Sequence, residues 1–570
     1  MNKKTLFLAL TIVINILFTS CAVLSNERAE SEKEKEYNFL SSQDDVIDNG
    51  PVKGGVLKLY STTPDTLNPI LTNNIYVRDY SSFIYESLVV IDKNQKAVPM
   101  LADKWETSFD GLTWTFHIRD NVFWHDNTPF SAEDAAFTMN AIISSPNSSY
   151  KTNVSNIAQF FAVNSKTFKV VLKAPNSFTA EQMTFPILPK HIFEGENLAA
   201  SPKNNSPVGT GPYKFVEYKQ GLHVKLKSNE NWWNIEKKDE NDKGDKSQNT
   251  YKSDKGDKSE LSLPYIGEIE MRLYDKTKNS TNAFQGGDVD LLTIDRSWWS
   301  KFNGRSDITL KKFTSNEYEY IAFNLNNKIL KFPEVRQAIA YAVDKTRIIN
   351  HILPGEAVAS DLPVIPDTWL NDTNAVYYNA DKEKAKKLLA DSGWKDNKGI
   401  LYKRINGAYT SLKLNMLVNE DNDTRIKVAE EIKKQLKEIG IELTIKKMSW
   451  ESEFKYINRK TFDLVLIGCK VTATPDISFM YSSEGGVLNI SGYKNEEVNK
   501  YLKRIIEEKD DSVRKACFTA MKGLINQDVP YLGLYFYNDA IIYSKKIRGE
   551  FAPYLWNQYY DFTKWYIPLK

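Results

Sequence analysis

The hydrophobic period of the second half of this chain switches repeatedly between that of a helix and that of a strand, and few folds satisfy such a pattern. Val335, Ala338, Ile339 and Ala342 fall at helical spacing behind Pro333, whose fixed φ and missing N–H suit a first helical turn. Asp381 to Ala390 is read as a second helix with Gly393 as its C′ residue, and Ala429, Ile432, Leu436 and Ile439 repeat the spacing until Gly440 stops the run. Ile441 to Ile445 then alternates as a strand, and Phe462-Asp463-Leu464-Val465-Leu466-Ile467 reads as a strand buried on both faces. Strands and helices in alternation predict an α/β lobe.

The first half carries strand signals. Gly54 to Tyr60 reads as an opening strand and Asp65 to Pro69 as a turn. Beside the Asp110-Gly111 turn, Leu112, Trp114, Phe116 and Ile118 alternate with Thr113, Thr115, His117 and Arg119, which predicts one core face and one wet face. Ser131 offers an N-cap with Glu133 and Asp134 in the first turn, so a helix is expected to about Ile143. Residues 236–260 hold eight acids, seven lysines and two copies of Asp-Lys-Gly-Asp-Lys-Ser, a low-complexity insertion expected to form a surface loop. Read as a calcium loop from Asp239, it has Gly244 in place but Thr250 where the closing acid belongs, so calcium is not expected there.

At the N-terminus, Met-Asn-Lys-Lys precedes a thirteen-residue apolar stretch, Leu6 to Phe18, broken only by Thr11 and Asn15. As a helix it would span about 20 Å against a hydrocarbon core of about 30 Å, so residues 1–20 are read as a signal peptide rather than a membrane span. Thr19-Ser20-Cys21 resembles the bacterial lipobox, which makes Cys21 the candidate lipidation site. The polar run from Asn26 to Glu36 makes residues 21–50 a solvated tether to the membrane surface.

Several chemistries are excluded by what is missing. With 75 Lys+Arg against 73 Asp+Glu the net charge is +2, and no basic field for nucleic acid exists. Three cysteines, Cys21, Cys469 and Cys517, and five scattered histidines give no metal-ligand spacing. Gly-x-Ser-x-Gly, the P-loop and His-Glu-x-x-His are absent, and Gly209-Thr210-Gly211 runs into Pro212, which suits a rigid turn better than a phosphate cradle. His125 and Asp126 are neighbours on an expected strand, pointing to opposite faces, and Cys469 follows an apolar strand as an inert small hydrophobe. No catalytic residue, metal or cofactor is expected. Aromatic residues are plentiful, 12 Trp, 30 Tyr and 28 Phe, and suit the lining of a binding pocket.

One dense set of motifs points to a family. Pro99-Met100-Leu101-Ala102-Asp103-Lys104-Trp105-Glu106, Asp110 to Phe116 with Arg119, and Thr128 to Asp134 are followed by Pro207 to Tyr213, Asn229 to Trp233, Gly287 to Asp290 and Val335 to Asp344. In content and order these blocks resemble the family-five extracellular solute-binding proteins of the oligopeptide, dipeptide and nickel class, receptors that feed ATP-driven importers. The likeness covers most of residues 50–570. It implies an α/β periplasmic-binding-protein fold, class II and cluster C, with two lobes joined by crossing strands and an extra mixed α+β subdomain. Lobe I would comprise residues 51–75, 207–312 and 535–570, the subdomain 76–206, and lobe II 313–534.

The same resemblance implies a monomer in the cell envelope, anchored by lipid to the outer face of the cytoplasmic membrane or periplasmic, that passes peptides to the permease of an importer. In such receptors the ligand backbone pairs with protein backbone like an added strand. Asn73, Asn74 and Ile75 would supply one edge and Gly468, Cys469 and Lys470 the other, while Trp450 matches a pocket tryptophan and Asn489 completes the ligand-binding set. Two positions depart from the peptide-binding pattern: Thr472 stands where a carboxylate receives the ligand's ammonium, and Leu466 where some relatives have a basic residue. The alternative cargoes are a nickel chelate, haem, a sugar or an opine, and haem or metal would require His223 or His351 to face the cleft. A sensory surface lipoprotein without transport is the remaining rival.

Overall fold

The computed structural model describes residues 48, 50–234, 262–275, 280–371 and 377–568. The signal segment, Cys21, nearly all of the tether and the 236–260 insertion lie outside the described residues.

Among the described residues a mixed sheet of eleven strands runs through the molecule, ten of them in one path and the short Ala357–Ala359 paired beside it. Its centre is formed by two long antiparallel strands, Ile308–Phe323 and Tyr531–Ser544, which belong to both halves. On one side of them follow Leu291–Ile294, Gly54–Thr62, Ile266–Tyr274, His223–Ser228 and Tyr213–Lys219. On the other lie Leu464–Lys470, Lys413–Asn419 and Glu442–Met448, parallel to one another. The pairing of the long strands breaks between Thr314↔Asn538 and Tyr318↔Phe536, so Ser315, Asn316 and Glu317 stand against Tyr537 alone. Such a bulge bends a strand and raises its local twist, which is the geometry needed where a sheet passes from one lobe to another.

In the second half the alternation of the sequence is realised as two cores on opposite faces. Leu464 and Leu466 enter one core with Met416, Val418, Val428 and Ile432. Val465 and Ile467 enter the other with Tyr318, Tyr320, Leu502 and Phe518. The strand read as buried on both faces is buried on both. The expected helices are present as Pro333–Ala342, Lys382–Asp391 and Asp423–Lys437, with Asp381 accepting from the Lys384 N–H at 2.9 Å and Gly393 and Gly440 at φ of +86° and +83°.

The first half has a core of Leu57, Leu59, Leu226 and Ile269 continuous with a four-stranded antiparallel sheet made by Ala102–Thr107, Thr113–Ile118, Thr167–Leu172 and Ile157–Asn164. Trp114, Phe116 and Ile118 are buried as their spacing predicts. Helix Ala132–Ser144 begins in a capping box in which Asp134 accepts from the Ser131 N–H at 2.9 Å. The glycines of Gly209-Thr210-Gly211 serve a close approach, because a Cβ on Gly209 would lie 1.8 Å from the Ile84 carbonyl oxygen. Thr210, Trp232 and Trp233 all donate to buried Glu86, so two of the sequence blocks meet on one carboxylate.

His125 differs from its expected setting. It lies in a turn, not a strand, with Nδ1 accepting from the Gly209 N–H and Nε2 facing the Gly211 carbonyl at 3.0 Å, while Asp126 turns to His191 at 2.7 Å. Burial pushes the His125 imidazole down to about 4, so it is a neutral structural group.

Candidate functional site

The three parallel strands of the second half set up a crevice. The chain leaves Lys413–Asn419 into helix Asp423–Lys437 on one face, and leaves Glu442–Met448 into helix Trp450–Arg459 on the other. Where helices diverge to opposite faces, a gap opens beyond the carboxyl ends of the strands, the usual ligand position in open α/β sheets. Gly468, Cys469 and Lys470 are the carboxyl end of the third strand and sit opposite Glu319, Tyr318 and Glu317 next to the crossing-strand bulge.

The register leaves part of this strand open. Leu464, Val465 and Leu466 pair with Met416, Leu417 and Val418, but among the described residues 467–470 pair only along the edge toward residues 317–320. An unpaired strand edge of this kind accepts another extended backbone.

A row of ions crosses the same region. Arg296, from the first half, reaches Glu317 at 2.7 Å and Asp539 at 3.3 Å and lies 4.1 Å from the Tyr537 ring centre, and Lys470 reaches Glu317 at 3.4 Å. Burial works to raise the Glu317 carboxyl, but Arg296 and Lys470 outweigh it and hold the group below its ordinary value. Further along, Arg425 grips Glu319 through two bonds of 2.8 Å. Gly468 is required there, since a Cβ would lie 2.4 Å from Glu319 Oε1 and 2.8 Å from Arg425 Nη2. Glu453, on the first turns of helix Trp450–Arg459, lies within range of both charges and is fully buried.

The predicted residues fall in different places. Trp450 opens its helix and packs 6.1 Å from Phe454. Cys469 is buried among Tyr318, Tyr320, Tyr481 and Tyr531 on the opposite face from Gly468, and burial pushes its thiol up to about 12. Asn489 spends its amide on its own loop, donating to Ser482 and Tyr493 carbonyls at 3.1 and 2.8 Å and accepting from the Tyr493 N–H, so it is a brace. Asn74 is a helix N-cap accepting from Tyr76, and Ile75 is the first helical residue rather than part of an extended edge. The N–H groups of Asn73 and Asn74 are taken by Asp65 and Thr72, so neither is free for an added strand. Among the described residues no hydrogen bond or ion pair joins 73–75 to 468–470. The Thr472 hydroxyl turns to Thr474, and its carbonyl accepts from Gln95 of the first half at 3.2 Å. His223 pairs with Glu217 at 2.7 Å, away from the crevice, and His351 is exposed on the last turn of its helix.

Gln95 is part of a seam between the four-stranded-sheet region and the second half. The Trp369 N–H donates to the Asn94 carbonyl at 3.0 Å, the Ser177 N–H to the Ile506 carbonyl at 2.6 Å, and Lys96 pairs with Asp511. Arg514 lies over Phe178 and Trp369, close to Glu181, whose carboxyl burial pushes up to about 7.

Glu319, Arg425 and Glu453 were not singled out from the sequence. The first two are 106 residues apart, and only Glu453, three residues after Trp450 and so on the same helical face, left a local trace.

Comparison with known proteins adds the following. The sequence model described as bacterial extracellular solute-binding proteins, family 5 Middle, matches residues 96–487. The oligopeptide-binding protein AppA of Bacillus subtilis (strain 168) is 24% identical over 589 residues, covering 99% of each chain. The ABC transporter substrate-binding protein CtaP of Listeria monocytogenes superposes with a TM-score of 0.69 at 25% identity, over 91% of this chain and 100% of its own. The structure of AppA from Bacillus subtilis in complex with a nonapeptide superposes with a TM-score of 0.56 at 24% identity, over 91% and 99%.

Proposed function

Because the chain belongs to the bacterial extracellular solute-binding proteins of family 5, which share a two-lobed α/β binding fold, we propose that it captures peptides between its halves and hands them to the permease of an ATP-driven importer. The observation that carries the reading is the open backbone edge at Ile467–Lys470, set at the carboxyl ends of the parallel strands and beside the bulge of the crossing strands. Backbone pairing along that edge gives affinity without reading side chains, which suits a receptor for varied peptides. Closure brings the seam residues Lys96, Gln95 and Ser177 against Asp511, Thr472 and Ile506, and enzyme chemistry has no part in it. The protein works as a monomer outside the cytoplasm, held at the membrane by lipid on Cys21, and no helix among the described residues is long and apolar enough to cross a membrane.

Calorimetric titration of the mature protein with a random pool of short peptides tests the binding step. Saturable heat is expected. A folded protein that gives none overturns the peptide reading.

A further inference from the structure

Among the described residues neither carboxylate oxygen of Glu453 has a hydrogen-bond partner, although the side chain is fully buried beside Arg425 and Glu319. Helical spacing places Glu453 on the inward stripe of its helix with Trp450 and Ile457. The nearby base, Arg425, already gives two of its donors to Glu319, so the cluster holds two acids for one cation. An unanswered carboxyl in such a place costs several kcal/mol, of a size that native proteins tolerate where something else supplies the missing donors. Among the described residues no group of three His, Cys, Asp or Glu is disposed to hold a metal, and a cation that is itself a hydrogen-bond donor would answer both oxygens.

We propose that Glu453 receives an ammonium group of the bound solute, making it a specificity-determining residue that selects ligands with a free amine at this point of the crevice. The proposal rests on the peptide reading and deepens it, since a peptide carries such a group at its N-terminus or on lysine. The groups facing Glu453 are Arg425 and Glu319, with the Tyr535 and Tyr537 phenols beyond Glu319, both raised by burial and therefore neutral, and the Cys469 thiol, likewise neutral, across the sheet. Without ligand, burial pushes Glu453 up to about 7, Arg425 opposing and Glu319 reinforcing the effect. An arriving ammonium displaces that proton, so affinity strengthens as pH rises through about 7; a lysine ammonium keeps that gain, while an N-terminal ammonium, which itself titrates near about 8, loses it again at higher pH.

The test uses random short-peptide pools in four forms: unmodified, N-acetylated, with norleucine replacing lysine, and with both changes. Wild-type protein is expected to bind the doubly masked pool at least about tenfold more weakly than the unmodified one. The singly masked pool that shares this loss identifies the source as N-terminus or lysine. Glu453→Gln should lose both the preference and the pH dependence. Glu453→Leu should match or exceed the wild type in urea stability while binding unmodified peptides poorly, because removing an orphan buried carboxyl relieves the fold. Equal binding of all four pools by the wild type overturns the ammonium site and leaves peptide binding intact. Failure of every pool to bind the folded protein overturns the peptide reading itself. A Glu453→Leu protein that is markedly less stable yet binds normally assigns the residue to the fold and overturns the proposal.

Discussion

Replacing Gly468 by alanine probes the packing of the crevice with one methyl group. The added Cβ would lie 2.4 Å from Glu319 Oε1 and 2.8 Å from Arg425 Nη2, both inside van der Waals contact. Neither atom is free to swing away, because Glu319 and Arg425 hold each other through two bonds of 2.8 Å and both side chains are largely buried. Overpacking of this kind costs about 1–3 kcal/mol. Loosening a buried bidentate ion pair adds part of the roughly 3–5 kcal/mol that a full break costs. A loss of about 2–4 kcal/mol is therefore expected for Gly468→Ala, read from the urea midpoint by tryptophan fluorescence and scaled by the m-value. The same change made in a Glu319→Ala background, where the oxygen is gone, should cost at least about 1 kcal/mol less, since contacting residues couple by about 0.5–3 kcal/mol. An unchanged midpoint in the first variant, or the full loss retained in the second background, would refute the packing on which the crevice rests.

Other perturbations have equally definite outcomes. Glu181 is held near 7 when folded and titrates near 4.3 when unfolded, so the native state binds extra protons between those values and its stability falls as pH rises through that window. Glu181→Gln should accordingly gain on the wild type between pH 4 and 8, by about 3 kcal/mol at the top, and a difference that stays flat with pH contradicts the burial argument. Gly209→Ala drives a methyl group onto the Ile84 carbonyl and should destabilise by at least about 3 kcal/mol; wild-type thermal stability would disprove the close approach. Removing seam contacts with Lys96→Ala and Arg514→Ala should enlarge the radius of gyration of the free protein in solution scattering, with the peptide pool shrinking it again. A radius insensitive to both changes would end the closure mechanism.

Local signals were read well from the sequence because each is decided within one or two turns of chain. Pro333, Gly393 and Gly440 bound their helices as expected, and the apolar run through Ile467 could be placed between two cores without knowing what filled them. The site was less legible. The family resemblance makes Asn73-Asn74-Ile75 a ligand-pairing edge, but Asn74 is equally suited to an N-cap, and Asp65 and Thr72 take the N–H groups of Asn73 and Asn74. Asn489 is polar, yet its side-chain amide is spent on its own loop. The Glu319–Arg425 pair, the three-against-one bulge at Tyr537 and the Gln95–Thr472 contact join segments far apart in the chain. No periodicity or cap encodes such pairings, so they emerge only when the sheet register is fixed.

The most direct test of peptide capture is native mass spectrometry of the mature protein, comparing gently desolvated with unfolded samples to identify what co-purifies. A ladder of peptide masses released on unfolding is expected from a receptor that pairs with backbone at Ile467–Lys470. A single discrete non-peptide mass, such as a metal chelate or a haem, would contradict it.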